Sequence, residues 1–146
     1  MSNPTKQKPT LIFEMLTLIQ NEPTYAGRVN KMRELRCMEL NTILQINYRP
    51  DVKLDLPVGI PKFQKDNGDP DMSMSRTRNV IPEFLQLSPH NHQLSPEMKL
   101  RKFVSILESV NEFEAEVFIL AKDRRLELKW PNITLQLVRD AIPGIV

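Results

Sequence analysis

The stretch that decides the fold is residues 50–75, PDVKLDLPVGIPKFQKDNGDPDMSMS, which holds four of the chain's 12 prolines and no apolar helical period. Proline lacks a backbone N–H donor, and it disfavours the α conformation of the residue before it. The stretch is therefore predicted to run extended over the surface. Seven of the 12 prolines lie between residues 50 and 96, so the proline excess belongs to one segment.

The residues before this segment carry helical patterns. Within LIFEMLTLIQ, apolar side chains recur at helical spacing in Ile12, Met15, Leu16 and Ile19. Thr10 is the expected N-cap of this helix, and Pro23 ends it. A second helix is predicted from about Tyr25, and residues 39–46 either continue it or form a third helix. The N-terminal third is therefore predicted to be a helical hairpin or a small bundle.

The residues after the segment also carry helix signals. A short helix is predicted around residues 82–87 with Pro82 in its first turn. Ser95 followed by Pro96 combines an N-cap residue with proline at the first helical position. Asn111 is the expected N-cap of the next helix, with a glutamate at the third helical position.

The end of the chain leaves two alternatives open. Residues 123–130 alternate apolar and polar side chains, which fits either a short strand or a distorted helix end. A last helix is capped by Asn132 or Thr134 and ends before Pro143.

These patterns predict a mainly α fold, a small helical domain in two helical halves joined by a long, mostly extended segment. We treat residues 1–146 as a single domain with a helical N-terminal part (1–49), a proline-rich connecting segment (50–95) and a helical C-terminal part (96–146). A chain with 40% apolar residues can bury a core.

Charge and cysteine content limit the function classes. The net charge is +2 at pH 7, and the only cysteine is Cys37, so no intramolecular disulfide or multi-cysteine zinc site can form. The first ten residues lack the apolar core of a signal peptide, and no run reaches the roughly 18 apolar residues of a membrane span. The sequence predicts a soluble protein of a reducing compartment, with no membrane partner.

Side chains suited to catalysis do not converge in the sequence. The two histidines, His90 and His92, stand in a polar loop without a recognisable nucleophile or further metal ligands. Residues 66–71 do not follow calcium-loop spacing and are interpreted as a solvated turn. Cys37 follows Arg36, which could lower its thiol pKa, but its apolar surroundings favour a place in the core. We predict no enzymatic activity, no metal, no cofactor and no small-molecule substrate.

Two features have a binding interpretation. Residues 54–63, LDLPVGIPKF, are apolar and stiffened by proline, which lowers the entropic cost of ordering them on a partner. The candidate partner contacts there are Leu56, Val58, Ile60, Pro61 and Phe63. The alternative is that these side chains tuck onto the helices and join the two halves.

The second feature is a basic stripe in the N-terminal third, a region that contains seven Lys and Arg residues and only four Asp and Glu residues. The candidate phosphate contacts are Arg28, Lys31, Arg33 and Arg36. The alternative is a solvated helix face, because Glu22, Glu34 and Glu39 are interleaved with the stripe.

Motifs spread over most of the chain resemble a family of small uncharacterised proteins encoded by T4-like tailed phages, including cyanophages. The matched residues are Asp51, Leu56, Pro57, Gly59 and Pro61 in the centre, Glu114, Ala115, Glu116, Lys122, Asp123 and Arg124 in a late helix, and Pro143 and Gly144 at the end. The resemblance implies a viral origin and expression inside a bacterial host. It brings no catalytic residues.

These observations favour a phage-encoded, non-catalytic interaction protein that binds a phage or host protein in the cytoplasm of the infected cell. One alternative is a minor structural component of the virion. A second alternative is a nucleic-acid-binding accessory protein that uses the basic stripe, and its binding would weaken steeply with salt.

Overall fold

A computed structural model describes residues 11–64 and 79–146 of the chain. These ranges are mainly helical and contain no strand, which confirms the predicted mainly α fold. The α-helices are α1 (Ile12–Gln20), α2 (Tyr25–Leu35), α3 (Met38–Tyr48), α4 (79–85), α5 (Pro96–Ser109), α6 (Glu112–Lys122) and α7 (Leu135–Ala141). Two 3₁₀ helices lie at Pro50–Val52 and Leu126–Leu128.

Local capping signals position four of these helices. At each start the side chain of the N-cap residue accepts a hydrogen bond from a backbone N–H in the first turn. The four N-cap residues are Thr24, Ser95, Asn111 and Thr134. The predictions at Ser95 and Asn111 are confirmed, and Thr134 rather than Asn132 caps α7.

Other predicted boundaries change. Residues 39–46 belong to a third helix, because the helical conformation is interrupted at Arg36 and Cys37 before α3 begins. The helix predicted at 82–87 covers 79–85 instead, so helical residues precede Pro82. The N-cap of α1 is Leu11, so the prediction of Thr10 as the N-cap is wrong. The turn predicted at 66–71 lies outside the described residues.

Residues 123–130 form no strand, and they agree with the alternative of a distorted helix end, because the Arg125 N–H donates back to the carbonyl of Leu120 at 2.8 Å. Arg124 adopts a left-handed conformation with φ 60°, and a 3₁₀ turn follows it. Leu126 and Trp130 are buried, whereas Leu128 is 72% exposed. The apolar alternation in the sequence therefore reflects a compact turn around two buried side chains.

Both helical halves contribute to one hydrophobic core. Its aromatic centre is the ring of Phe84, which stacks on Phe103 with ring centroids 5.9 Å apart and meets Phe118 edge-on at 4.8 Å. Trp130 is also buried, and its indole N–H donates to the hydroxyl of Thr17 at 3.2 Å. Rings from α4, α5 and α6 therefore pack together, which attaches the later part of the connecting segment to the C-terminal helices.

The start of α1 depends on a carboxylate from the other half of the chain. Glu114 of α6 is fully buried, and its two oxygens accept the backbone N–H groups of Ile12 at 3.1 Å and Phe13 at 2.8 Å. Glu14 accepts the N–H of Leu11 at 3.1 Å. Two carboxylates thus compensate the unpaired N–H groups of the first turn, and their charge also matches the positive end of the helix dipole.

Tyr48 ties the end of α3 to the loop before α7, since its hydroxyl donates to the carbonyl of Ile133 at 2.8 Å. Burial raises the pKa of the Tyr48 phenol, and the carboxylate of Glu127 raises it further. The neutral phenol is therefore favoured more strongly in the folded protein than in the unfolded chain.

We expect this shift in the pKa of Tyr48 to make the protein less stable in alkali. Its stabilising contribution is complete below the unfolded pKa, about 10, and it is lost as the pH rises toward the folded pKa. Tyr48→Phe should cost about 1 kcal/mol at neutral pH through the lost hydrogen bond and should make the alkaline decline shallower. Urea unfolding between neutral pH and pH 11 measures both effects. An equally steep decline in the variant would contradict the assignment to Tyr48.

Candidate functional site

The connecting segment is anchored along the C-terminal half of the protein. Residues 53–64, here called the strap, run from the end of the first 3₁₀ turn over α5 and the end of α6. Leu54 is buried, and Leu56 and Phe63 pack against the core. These three apolar side chains therefore attach the strap to the core.

A buried ion pair holds the centre of the strap. The ammonium of Lys122 donates to the carbonyls of Pro57 at 2.8 Å and Gly59 at 2.7 Å, and to Asp123 at 2.6 Å. Its three N–H donors match these three acceptors, and its side chain is only 2% exposed. The carboxylate of Asp123 also accepts the N–H of Gly59, at 3.1 Å for its nearer oxygen.

Further polar contacts hold the two ends of the strap. The ammonium of Lys99 on α5 lies 3.0 Å from the carboxylate of Asp55 and 2.9 Å from the carbonyl of Ser88. The Asp55 N–H donates to the carbonyl of Leu87 at 2.9 Å. At the other end, Glu108 of α5 accepts the N–H of Gln64 at 2.8 Å. The strap is thus fixed at its start, its centre and its end.

Two apolar side chains remain outside this arrangement. Val58 is 69% exposed and Ile60 is 75% exposed, and we call this pair the ridge. The five predicted contact residues therefore differ in their exposure. Leu56 and Phe63 pack against the core, the two ridge side chains are exposed to solvent, and Pro61 is half-buried. A cavity of about 190 Å³ lies beside the ridge, against Leu100 and Phe103 of α5.

Most of the basic stripe is engaged with the protein itself. The guanidinium of Arg33 donates to the carbonyls of Asp140 at 2.9 Å and Ala141 at 3.1 Å, so it compensates the C-terminal end of α7. Arg28 donates to the carbonyl of Glu22, Lys31 pairs with Glu34, and Arg36 is exposed. The prediction that these four residues contact phosphate stays a prediction, and Arg33 has a structural role that the sequence did not indicate.

The candidate chemical groups are dispersed. His90 lines a pocket with Pro50, Asp51, Lys53, Leu54, Asp55 and Leu56. A hydrogen-bonded ion pair with Arg49 holds the pKa of the Asp51 carboxyl below its usual range. Within residues 11–64 and 79–146, no group of three His, Cys, Asp or Glu side chains could hold a metal ion. In the same ranges, no helix has the length and apolar character needed to cross a membrane.

Cys37 is half-buried between α2 and α3, and it packs against the core. Burial raises the pKa of its thiol, in agreement with the core interpretation rather than with activation by Arg36. Since the thiolate is the reactive form, we expect iodoacetamide to alkylate native Cys37 severalfold more slowly than the urea-unfolded chain at the same pH. Mass spectrometry of timed samples measures both rates, and equal rates would contradict this environment for the thiol.

The strap's polar anchors were not identified as site residues from the sequence. Lys99, Lys122, Asp123 and Glu108 lie on or next to helices, where charged residues normally face solvent. The one available signal was Lys122 next to Asp123 at the end of an apolar helix, a pair that the family resemblance also includes.

Comparison of the chain with protein-family models, with curated proteins and with solved structures finds no match.

Proposed function

We propose that this protein is a non-catalytic interaction protein and that the ridge, Val58 and Ile60, is its contact with a phage or host protein. The observation that carries the proposal is the fixed exposure of the two side chains. Each is more than two-thirds exposed, while the backbone of Gly59 between them is hydrogen-bonded to Lys122 and Asp123. An apolar contact that is already ordered loses less conformational entropy on binding.

The flanking prolines indicate the type of contact. Pro57 and Pro61 bracket the ridge and have no N–H to donate. A β-strand from a partner would need N–H donors along the strap, and the two prolines supply none, so pairing with such a strand is disfavoured. The ridge is therefore suited to insert its two aliphatic side chains into a partner's pocket.

The biological setting is a separate part of the proposal. The resemblance to phage-encoded proteins supports action in the cytoplasm of an infected bacterial cell, on a phage or host protein. A place in the virion is the alternative, and mass spectrometry of purified particles distinguishes the two.

The contact can be tested with a photo-crosslinking residue. We expect p-benzoylphenylalanine at position 60 to give a discrete adduct with one protein in infected cells. The matched control carries it at Leu128, which is 72% exposed but belongs to another segment. Adducts from position 128 alone, or the same mixture from both positions, would contradict the proposal.

A double variant tests the energetics of the ridge. In this test the photo-crosslinking residue replaces Lys62, so that position 60 is free for substitution. Val58→Asp combined with Ile60→Asp should abolish the adduct formed from position 62, because two carboxylates would have to enter an apolar pocket without a partner charge. Both side chains are exposed, so thermal stability should change little. Leu128→Asp should leave the adduct intact, whereas undiminished crosslinking by the double variant would assign binding to another surface.

A further inference from the structure

The surface under the strap recognises main-chain atoms. We define the groove as Leu100, Phe103 and Glu108 of α5 together with Lys122 and Asp123. Its charged side chains bond the carbonyls of Pro57 and Gly59 and the N–H groups of Gly59 and Gln64. Peptide-binding surfaces work in this way, since main-chain bonds supply affinity while pockets for side chains supply specificity.

The strap resembles a bound peptide in its other contacts too. It contains no helical residue, and its contacts follow α5 in order, from Asp55 at Lys99 to Gln64 at Glu108. The aliphatic side chain of Leu100 and the ring of Phe103 border the cavity of about 190 Å³ at its centre. The strap is therefore comparable to a ligand that is covalently part of its receptor.

We propose that the groove is a peptide-binding surface whose ligand is the strap, and that it accepts the strap of a second copy of this chain when its own is released. A second copy is the occupant because it carries the same segment, with the same positions for all four main-chain bonds. When a chain's own strap is docked, its effective concentration at the groove is of order mM, so it outcompetes the strap of a second copy.

Gly59 provides a way to release the strap without altering the groove. Its φ is +106°, a conformation that side chains other than glycine rarely adopt, and a Cβ atom at this position would meet nothing within 4 Å. Gly59→Val should therefore destabilise strap docking through the backbone alone. Gly144 is the matched control, because its φ is +87° and a Cβ there also meets nothing within 4 Å.

The first test uses a synthetic peptide of residues 53–64 as the probe. We expect the G59V chain to bind it about tenfold or more tightly than the wild-type or G144V chain, as measured by fluorescence anisotropy. A peptide with valine at position 59 should bind about tenfold more weakly. Equal binding to all three chains would place the peptide elsewhere, and no binding to G59V would overturn the proposal. If G59V does not fold, Gly59→Ala supplies the same test with less strain.

The second test uses two full chains. G59V keeps the groove, whereas Asp123→Ala keeps the strap but loses the acceptor for the Gly59 N–H. A mixture of the two should contain a dimer by sedimentation velocity, and each variant alone should contain much less. Peptide binding without a mixed dimer would overturn the assignment of the second copy as the occupant.

Discussion

Lys122→Met is expected to lower the free energy of unfolding by about 3–5 kcal/mol, the range for removing one member of a buried ion pair. Methionine preserves most of the side-chain length but no charge and no donor. The carboxylate of Asp123 would then be left in a low-dielectric site without its counter-charge, and the carbonyls of Pro57 and Gly59 would lose their donor. The loss should therefore exceed that of an ordinary hydrogen bond.

Urea unfolding of the wild type and K122M measures this difference. Lys129→Met is the matched control, because Lys129 pairs with Glu116 on the surface with both side chains more than 40% exposed. Such exposed pairs contribute about 0–1 kcal/mol. Hydrogen exchange should also show the amide of Gly59 losing protection in K122M alone. Similar losses in the two variants would mean that the Lys122 pair is solvated.

The starts of α5 and α6 were predictable because their capping signals are local. An N-cap side chain and the N–H group it accepts lie within three residues of each other, as Ser95 and Met98 do. The same applies to the stop before Pro23, since proline restricts the residue that precedes it. These interactions are encoded in a few adjacent letters, so the mainly α fold follows from the sequence.

The anchoring of the strap was not predictable because it joins distant residues. Lys122 is separated from Gly59 by 63 positions, and Gln64 from Glu108 by 44. Sequence reasoning left two alternatives for residues 54–63, attachment to the helices or exposure to a partner. In the folded chain Phe63 packs against the core while Ile60 is exposed. Simple alternation along a strand does not account for this division, because Leu56 and Ile60 would then lie on the same side, and the positive φ of Gly59 changes the chain direction between them. Attachment to the helices therefore holds for Leu56 and Phe63, and contact of Val58 and Ile60 with a partner stays a prediction.

The basic stripe illustrates how long-range contacts change the interpretation of a charge. Arg33 and the end of α7 are more than 100 residues apart in sequence, so a helical pattern within α2 could only suggest a solvated or phosphate-binding face. In the structure Arg33 compensates carbonyls of α7, and the short helix packs beside α2. Neutralising Arg33 would therefore alter the fold as well as any nucleic-acid contact.

Glu114→Ala is expected to destabilise the protein by about 3–5 kcal/mol, because it removes an acceptor and leaves a cavity. The change leaves the N–H groups of Ile12 and Phe13 without their acceptor, and each unsatisfied buried donor costs about 1–3 kcal/mol. It also leaves a cavity at a fully buried position. Glu114→Gln should be less severe, because the amide keeps one of the two acceptor oxygens.

The location of the damage distinguishes this role from a general loss of packing. Because Glu114 compensates the first turn of α1, hydrogen exchange in E114Q should accelerate more at Ile12 and Phe13 than at the amides of α6. Glu116→Ala, at a half-exposed position on the same helix, should cost no more than about 1 kcal/mol and leave α1 protected. Uniform loss of protection in E114Q would indicate that α1 docks mainly through its apolar face. Selective loss at α1 would show that a carboxylate from one helical half fixes the first helix of the other.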